Sequence, residues 1–215
     1  MSIPIYQQIR ARFQLGPAIH MTHLSNLPSI LREGELRSHT LMAGRDHRSV
    51  ANEDVQAGRA AKVVPLSGRA LHDYVPLYFG VKTPMVAVNQ DQNEAIVFLR
   101  FSLDVFLSIA GVVISDGNAR SNVTRFFLFA KIDDLSVLDV AAIHTYKYAR
   151  DPELKRKKQA EILVPDHLPM AQLFDIICFS VEARSRVLEI LDNFGINKPV
   201  YVGAHYYFRN TLGSP

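Results

Sequence analysis

The sequence is short of cysteine, of long apolar runs and of any strong excess of one charge. Its single cysteine, Cys178, lies in the apolar run Ile176-Ile177-Cys178-Phe179. It excludes an intramolecular disulfide framework and points to a reducing compartment. The most apolar stretch, residues 95–115, is interrupted by Arg100 and Asp104, which makes it a poor bilayer span. Residues 1–16 hold Gln7, Gln8, Arg10 and Arg12 in place of the apolar centre of an export signal. A soluble cytoplasmic protein with no membrane association is expected. The chain has no internal repeat and no low-complexity tract.

Nucleotide-site signatures are missing too. No Gly-x-Gly-x-x-Gly follows a strand-like run, and no Gly-x-x-x-x-Gly-Lys-Ser/Thr occurs. A Gly-x-Ser-x-Gly elbow is also absent, and Cys178 has no cationic neighbour in sequence to activate its thiol. His20 and His23 are three apart, so on a strand they face opposite sides and cannot share an ion. No metal site is expected.

What is present suffices for one compact domain spanning residues 1–215. Of 215 residues, 48% are hydrophobic, enough to hide roughly 70% of the unfolded surface of a chain this long. The 24 Lys+Arg and 21 Asp+Glu leave a net charge of only +3, so the distribution of charge matters more than its sum. Strands are expected at 18–23, 75–80, 95–101, 111–115, 160–164, 175–180 and within 200–208. Helices are expected after the Ser25/Asn26 cap, irregularly over 50–63, at 103–109, near 140–143 and over 181–194. Residues 35–48, polar and without a clean period, read as a loop. Strands outnumber helices without alternating with them, which indicates an α+β fold on a mixed or antiparallel sheet.

Four groups of residues carry chemistry. Glu161 interrupts an apolar strand whose Ala160, Ile162 and Val164 share the opposite face. Local conflicts of this kind gather at functional sites, although a solvent-facing or ion-paired edge glutamate fits the same pattern. Residues 147–158 hold six basic and two acidic side chains, hence +4, and end in Lys155-Arg156-Lys157-Lys158. That run suits a polyanion backbone or an ordinary solvated face. His20 and Thr22 share one face of the first strand, with Asn26 as the following helix cap. Arg45, Arg48 and Arg59 offer guanidinium forks for a pyrophosphate, or are ordinary surface arginines. Tyr74, Tyr78 and Phe79 could stack a base or nicotinamide, or fill the core.

In their order, these segments resemble one family. They are Ile19-His20-Met21-Thr22-His23 with Asn26-Leu27 and Ile30-Leu31, then Arg48-Ser49-Val50-Ala51 with Gln56. Leu71-His72-Asp73-Tyr74-Val75-Pro76-Leu77-Tyr78-Phe79 follows, with Thr83-Pro84-Met85 and Ser115-Asp116-Gly117-Asn118-Ala119. Last come Arg156-Lys157-Lys158-Gln159-Ala160-Glu161-Ile162-Leu163-Val164 and Tyr206-Tyr207-Phe208. Over residues 17–208 the chain resembles DarT, the bacterial toxin family that ADP-ribosylates DNA and is countered by the macrodomain antitoxin DarG.

The resemblance implies an ADP-ribosyltransferase-like split mixed β-sheet core with flanking helices. It implies transfer of ADP-ribose from NAD, a co-substrate, to a base of single-stranded DNA, thymine before guanine, with release of nicotinamide. Glu161 matches the catalytic glutamate, a carboxylate that stabilises the positive charge developing at the ribose. Arg48 matches an arginine with both catalytic and NAD-binding roles, better suited to orienting phosphate or polarising the base than to accepting a proton. His20, Met21, Thr22 and Leu41 match NAD contacts. Lys155, Arg156, Lys157, Lys158 and Gln159 fall in the substrate-recognition loop before the catalytic strand and are the expected nucleic-acid contacts. Asn118 stands where many relatives carry histidine, which bears on the choice of acceptor base. A same-fold transferase acting on RNA or protein, and a non-catalytic nucleic-acid-binding module, are the rival readings.

Overall fold

The computed structural model describes residues 3–51 and 53–208. Its strands are β1 (Ala18–His23), β2 (Glu35–Arg37), β3 (Val63–Val64), β4 (Arg69–Ala70), β5 (Tyr74–Tyr78) and β6 (Ile96–Phe101). They continue through β7 (Val113–Ser115), β8 (Phe126–Leu128), β9 (Glu161–Pro165), β10 (His167–Pro169), β11 (Leu173–Cys178) and β12 (Val200–Val202). The helices are α1 (Ile5–Phe13), α2 (Leu27–Glu33), α3 (Glu53–Ala60), α4 (Pro84–Val88), α5 (Val140–His144), α6 (Pro152–Lys157) and α7 (Val181–Asn193).

Eight strands form one mixed sheet in the order β12-β11-β6-β1-β5-β9-β7-β8. All neighbours run antiparallel except β11 and β12. The sheet is split at its centre. β1 pairs with β6 through six residues, from Ala18↔Phe101 to His23↔Ile96, but meets β5 only at Ile19↔Tyr78. This narrow seam divides two four-stranded halves and leaves polar side chains on both sides of it. The expected split mixed sheet is the observed architecture.

The helices that hold the halves follow from local chemistry. In α7, Ala183, Val187 and Leu191 recur at i, i+4 and i+8 and are buried, the spacing of one helix face. Ser180 caps it by accepting the Ala183 N–H at 3.0 Å. Helix α2 stops at Gly34, whose φ of +71° is costly for any residue with a Cβ. Helix α6 starts at Pro152 behind Asp151, whose carboxylate accepts from the Glu153 and Leu154 N–H groups. The 103–109 helix is a 3₁₀ turn over Leu103–Ser108.

Two expectations are corrected. The 18–23 strand, the earliest element the sequence leads one to expect, is preceded by helix α1, where Ile9 is buried. Residues 35–48 are not wholly loop, because β2 pairs with β10 in register Leu36↔Leu168 and buries Leu36 in the main core. The closing 200–208 segment, expected to hold one or two strands, provides one, β12, followed by a 3₁₀ turn over Ala204–Tyr206.

The two faces of β9 bury into different layers. Ala160, Ile162 and Val164 join the main core, whereas Leu163 packs with Val64, Leu71, Tyr74, Val113 and Ala119. Glu161 shares the Leu163 face. Thus the carboxylate lies beneath the layer formed by β3, β4 and the loops around them, close to the seam.

Candidate active site

A cleft of about 400 Å³ opens at the seam, lined by β1, β5, α3 and the loops that flank them. That size lies within the usual range for small-molecule sites. Glu161, 1% exposed, lies behind the lining, next to Arg59 and Tyr78, which do line the cleft. Its Cα pairs with Tyr78 on one side and Ser115 on the other. The Glu161 N–H donates to Ser115 Oγ at 3.1 Å, and that hydroxyl donates to the Gly117 carbonyl at 2.7 Å. The turn after β7 then brings the Ala119 N–H to Glu161 Oε1 at 3.0 Å.

The other carboxylate oxygen accepts from Arg59 Nη1 at 3.0 Å. This is a buried, hydrogen-bonded ion pair with side chains 11% and 1% exposed. A charge this deep needs such a partner. The guanidinium is also incompletely used, since Arg59 Nη2 is buried without a hydrogen-bond partner. Tyr78, beside the pair, has its phenol pushed far above the ordinary range by burial and then by the Glu161 charge, so it stays protonated.

Across the seam, His20 Nδ1 lies 2.9 Å from the Pro76 carbonyl. Burial lowers the His20 pKa, with the Pro76 bond opposing in part; a neutral ring donates through Nδ1 and leaves Nε2 as an acceptor. Thr22 Oγ1 accepts from Asn26 Nδ2 at 3.2 Å. Asn26 does not cap α2 with its side chain. It clamps the loop instead, donating to the Arg48 carbonyl and accepting the Arg48 N–H, both at 2.8 Å. Sequence reasoning gave Asn26 the commoner role of such a residue and missed this one.

The expected site residues separate into two sets. His20, Met21, Thr22, Arg48, Lys155 and Gln159 all line the cleft. Arg48 does not reach Glu161, because its Nη2 donates to Gln92 Oε1 at 2.9 Å. Arg59, grouped at first with the pyrophosphate-type arginines, is the guanidinium on the carboxylate. Leu41 is exposed, and its neighbour Met42 lines the cleft in its place.

The basic run is the clearest departure. Lys158 is fully buried, donating from Nζ to the Ile143 carbonyl at 2.5 Å. Burial lowers its pKa to about 8, and the ammonium lies over the Tyr146 ring. Arg156 is spent on Asp116, Glu153 and Thr124, and Lys157 on Asp139 at 3.1 Å. Lys155 remains at the cleft, and Gln159 beside it accepts from Asn118 Nδ2 at 3.1 Å. Of these five residues, Lys155 in α6 and Gln159 just beyond it line the cleft. Among the described residues, no group of three or more His, Cys, Asp or Glu side chains could hold a metal ion. None of their helices is long and apolar enough to cross a membrane.

Residues 19–208 match the family model described as "ssDNA thymidine ADP-ribosyltransferase, DarT". The chain belongs to the DarT family. It is 36% identical over 188 residues to a DNA ADP-ribosyl transferase of Thermus sp. (strain 2.9), covering 83% of this chain and 88% of that protein. It superposes on Thermus sp. 2.9 DarT in complex with ADP-ribosylated ssDNA with a TM-score of 0.83 at 33% identity, over 91% of this chain and 97% of the other. The complex of Thermus DarT with NAD+ gives 0.76 at 32% identity, over 89% and 97%. A Thermosipho africanus DNA ADP-ribosyl transferase–glycohydrolase fusion protein is 25% identical over 88% of this chain, which spans 48% of that fusion.

Proposed function

We propose that this DarT-family chain moves ADP-ribose from NAD to a thymine of single-stranded DNA and releases nicotinamide. The observation behind the reading is the Glu161 carboxylate, buried directly behind Arg59 of the cleft lining with its charge held by Arg59 and the Ala119 N–H. Breaking a ribosyl–nicotinamide bond develops positive charge on the sugar ring. A fixed carboxylate in a water-poor site stabilises that charge far better than water does. The neutral His20 ring and Thr22, on the β1 side of the seam, are the polar groups for the dinucleotide opposite, with Met21 as their apolar neighbour and Arg48 as the cation for its phosphates. Lys155 and Gln159 stand at the DNA end, where a phosphate and a base edge need one cation and one amide.

Family relatives include one that is fused to a glycohydrolase. A glycohydrolase of the macrodomain-antitoxin type, removing the DNA modification, is therefore the proposed partner in the cell, and the chain itself the toxin component of such a pair.

The test incubates the protein with NAD and separate thymine-only, guanine-containing, RNA and duplex oligonucleotides, and weighs the products. The expected result is a gain of one ADP-ribose on the thymine single strand, absent with Glu161→Ala. A gain on guanine, RNA or protein alone would reassign the acceptor. NAD-independent binding that survives Glu161→Gln, with no nicotinamide released, would leave a binding module in place of an enzyme.

A further inference from the structure

Three buried side-chain atoms among the described residues have no hydrogen-bond partner: Arg59 Nη2, His72 Nε2 and Thr83 Oγ1. Two of them belong to residues that line the same cleft. Buried polar atoms are normally satisfied, so a donor and an unpaired imidazole nitrogen left open together in a binding cleft point to ligand groups. His72 lies near the Gln56 backbone of α3. Gln56 lies one helical turn before Arg59 on the same helix, so α3 sets both groups against one frame.

The protonation state agrees. His72 is driven toward its neutral form by burial, then by His39 and Arg59, against weaker opposition from the Gln56 carbonyl and Asp73. His39 stacks on it with ring centroids 4.1 Å apart, and His47 meets His39 edge-on at 6.3 Å. Burial, His47 and Arg59 lower the His39 pKa as well. Among the described residues, these are the charged and titratable groups that act on the ring. A neutral imidazole that donates on one side has a free lone pair on the other.

Building on the function proposed above, we propose that His72 is a further catalytic residue, the proton acceptor for the base that receives ADP-ribose. In that role Nε2 takes the ring N–H proton of thymine while Arg59 Nη2 donates to the carbonyl next to it. The balance is simple. The ring N–H bond breaks and its proton goes to Nε2; the freed electron pair bonds to the anomeric carbon of the NAD ribose. The bond to nicotinamide breaks with its electrons, which neutralise the pyridinium. In DNA only thymine and guanine carry a ring N–H beside a carbonyl, so cytosine and adenine are refused at this step. The neighbouring groups do not suit it. Guanidinium does not deprotonate, and both oxygens of Glu161 are engaged.

The deciding experiment uses His72→Asn, which keeps a polar side chain with an N–H donor and lacks the basic imidazole lone pair. On a thymine single strand, kcat should fall on the order of 10²- to 10⁴-fold, the usual worth of general-base catalysis, with KM for NAD within about threefold. His72→Ala should regain activity with added imidazoles, and faster with the more basic ones. Should His72→Ala fail to fold, the pH profile decides: wild type loses kcat as pH falls below the ordinary histidine range, and His72→Asn lacks that limb. The proposal is overturned if His72→Asn stays within about threefold of wild type, if its KM for NAD rises in step with the loss, or if imidazole rescues His20→Ala and not His72→Ala. A wild type that modifies no single strand would instead overturn the function itself, before any variant is compared.

Discussion

The Arg59–Glu161 pair gives the sharpest test of how the site is built. The structure buries both partners, joins them at 3.0 Å, and supplies the carboxylate with a second donor in the Ala119 N–H. Removing one partner strands the other's charge in the interior, which costs about 3–5 kcal/mol. Arg59→Met should fall near the low end, about 3 kcal/mol, because Glu161 retains the Ala119 bond. Glu161→Gln leaves Arg59 with neither a counter-charge nor a full acceptor and should cost at least as much. For a domain this size each kcal/mol is worth about 2–4 °C, so each single variant should lose about 6–12 °C in Tm. The double variant Arg59→Met/Glu161→Gln strands no charge and should sit above the sum of the singles by about 1.5–3 kcal/mol. Urea melts of the four proteins, read as midpoint shifts at constant slope, give the cycle directly. Coupling below about 0.5 kcal/mol, or an Arg59→Met as stable as wild type, would refute the claim that the carboxylate is held by its charge partner.

Other consequences concern the basic run and the thiol. Lys155→Ala should weaken single-strand binding and flatten its salt dependence by about 0.7 in the log–log slope; Lys158→Met should leave that slope unchanged. Lys158 has a folded pKa of about 8 and an ordinary value near 10.5 when unfolded. Between those limits the unfolded chain binds the extra proton, so stability should rise with pH by up to about 1.4 kcal/mol per unit, measured as the wild-type minus Lys158→Met difference. Cys178 is buried, and that burial pushes its thiol up to about 12, so a thiol reagent should react only as the chain unfolds.

Much of the fold is legible in the chain because its strands are short apolar runs bounded by breakers. Residues 18–23 form the strand expected of them, and 181–194 the helix within one residue. The misses have physical causes. Helix α1 carries Ile5, Ile9 and Phe13 at helical spacing, but only Ile9 is buried, and its polar surroundings mask the stripe. Strand β2 is three residues long and owes its existence to β10, about 130 residues later; no local signal specifies a partner that far away.

The site divides along the same line between local and non-local information. Glu161 stands out because a carboxylate in an apolar strand needs a reason, and the reason is Arg59, 102 residues earlier. Nothing in the sequence near Arg59 separates it from Arg48, since both precede or occupy a weakly patterned helix. Only the fold, by laying α3 over the second face of β9, decides which guanidinium meets the carboxylate. The basic run misleads for a related reason. Charge counted along a sequence assumes that side chains face solvent, yet Asp116, Asp139 and Glu153 neutralise Arg156 and Lys157 in place, while the chain turns Lys158 inward to the Ile143 carbonyl. What the +4 segment supplies is chiefly a scaffold of ion pairs that fixes the approach to Glu161, with Lys155 as the cation left at the cleft. A cluster of like charges next to a buried acid is therefore first a means of holding the loop, and the accompanying acids 3, 18 and 40 residues before their basic partners are the sign by which that role could have been read.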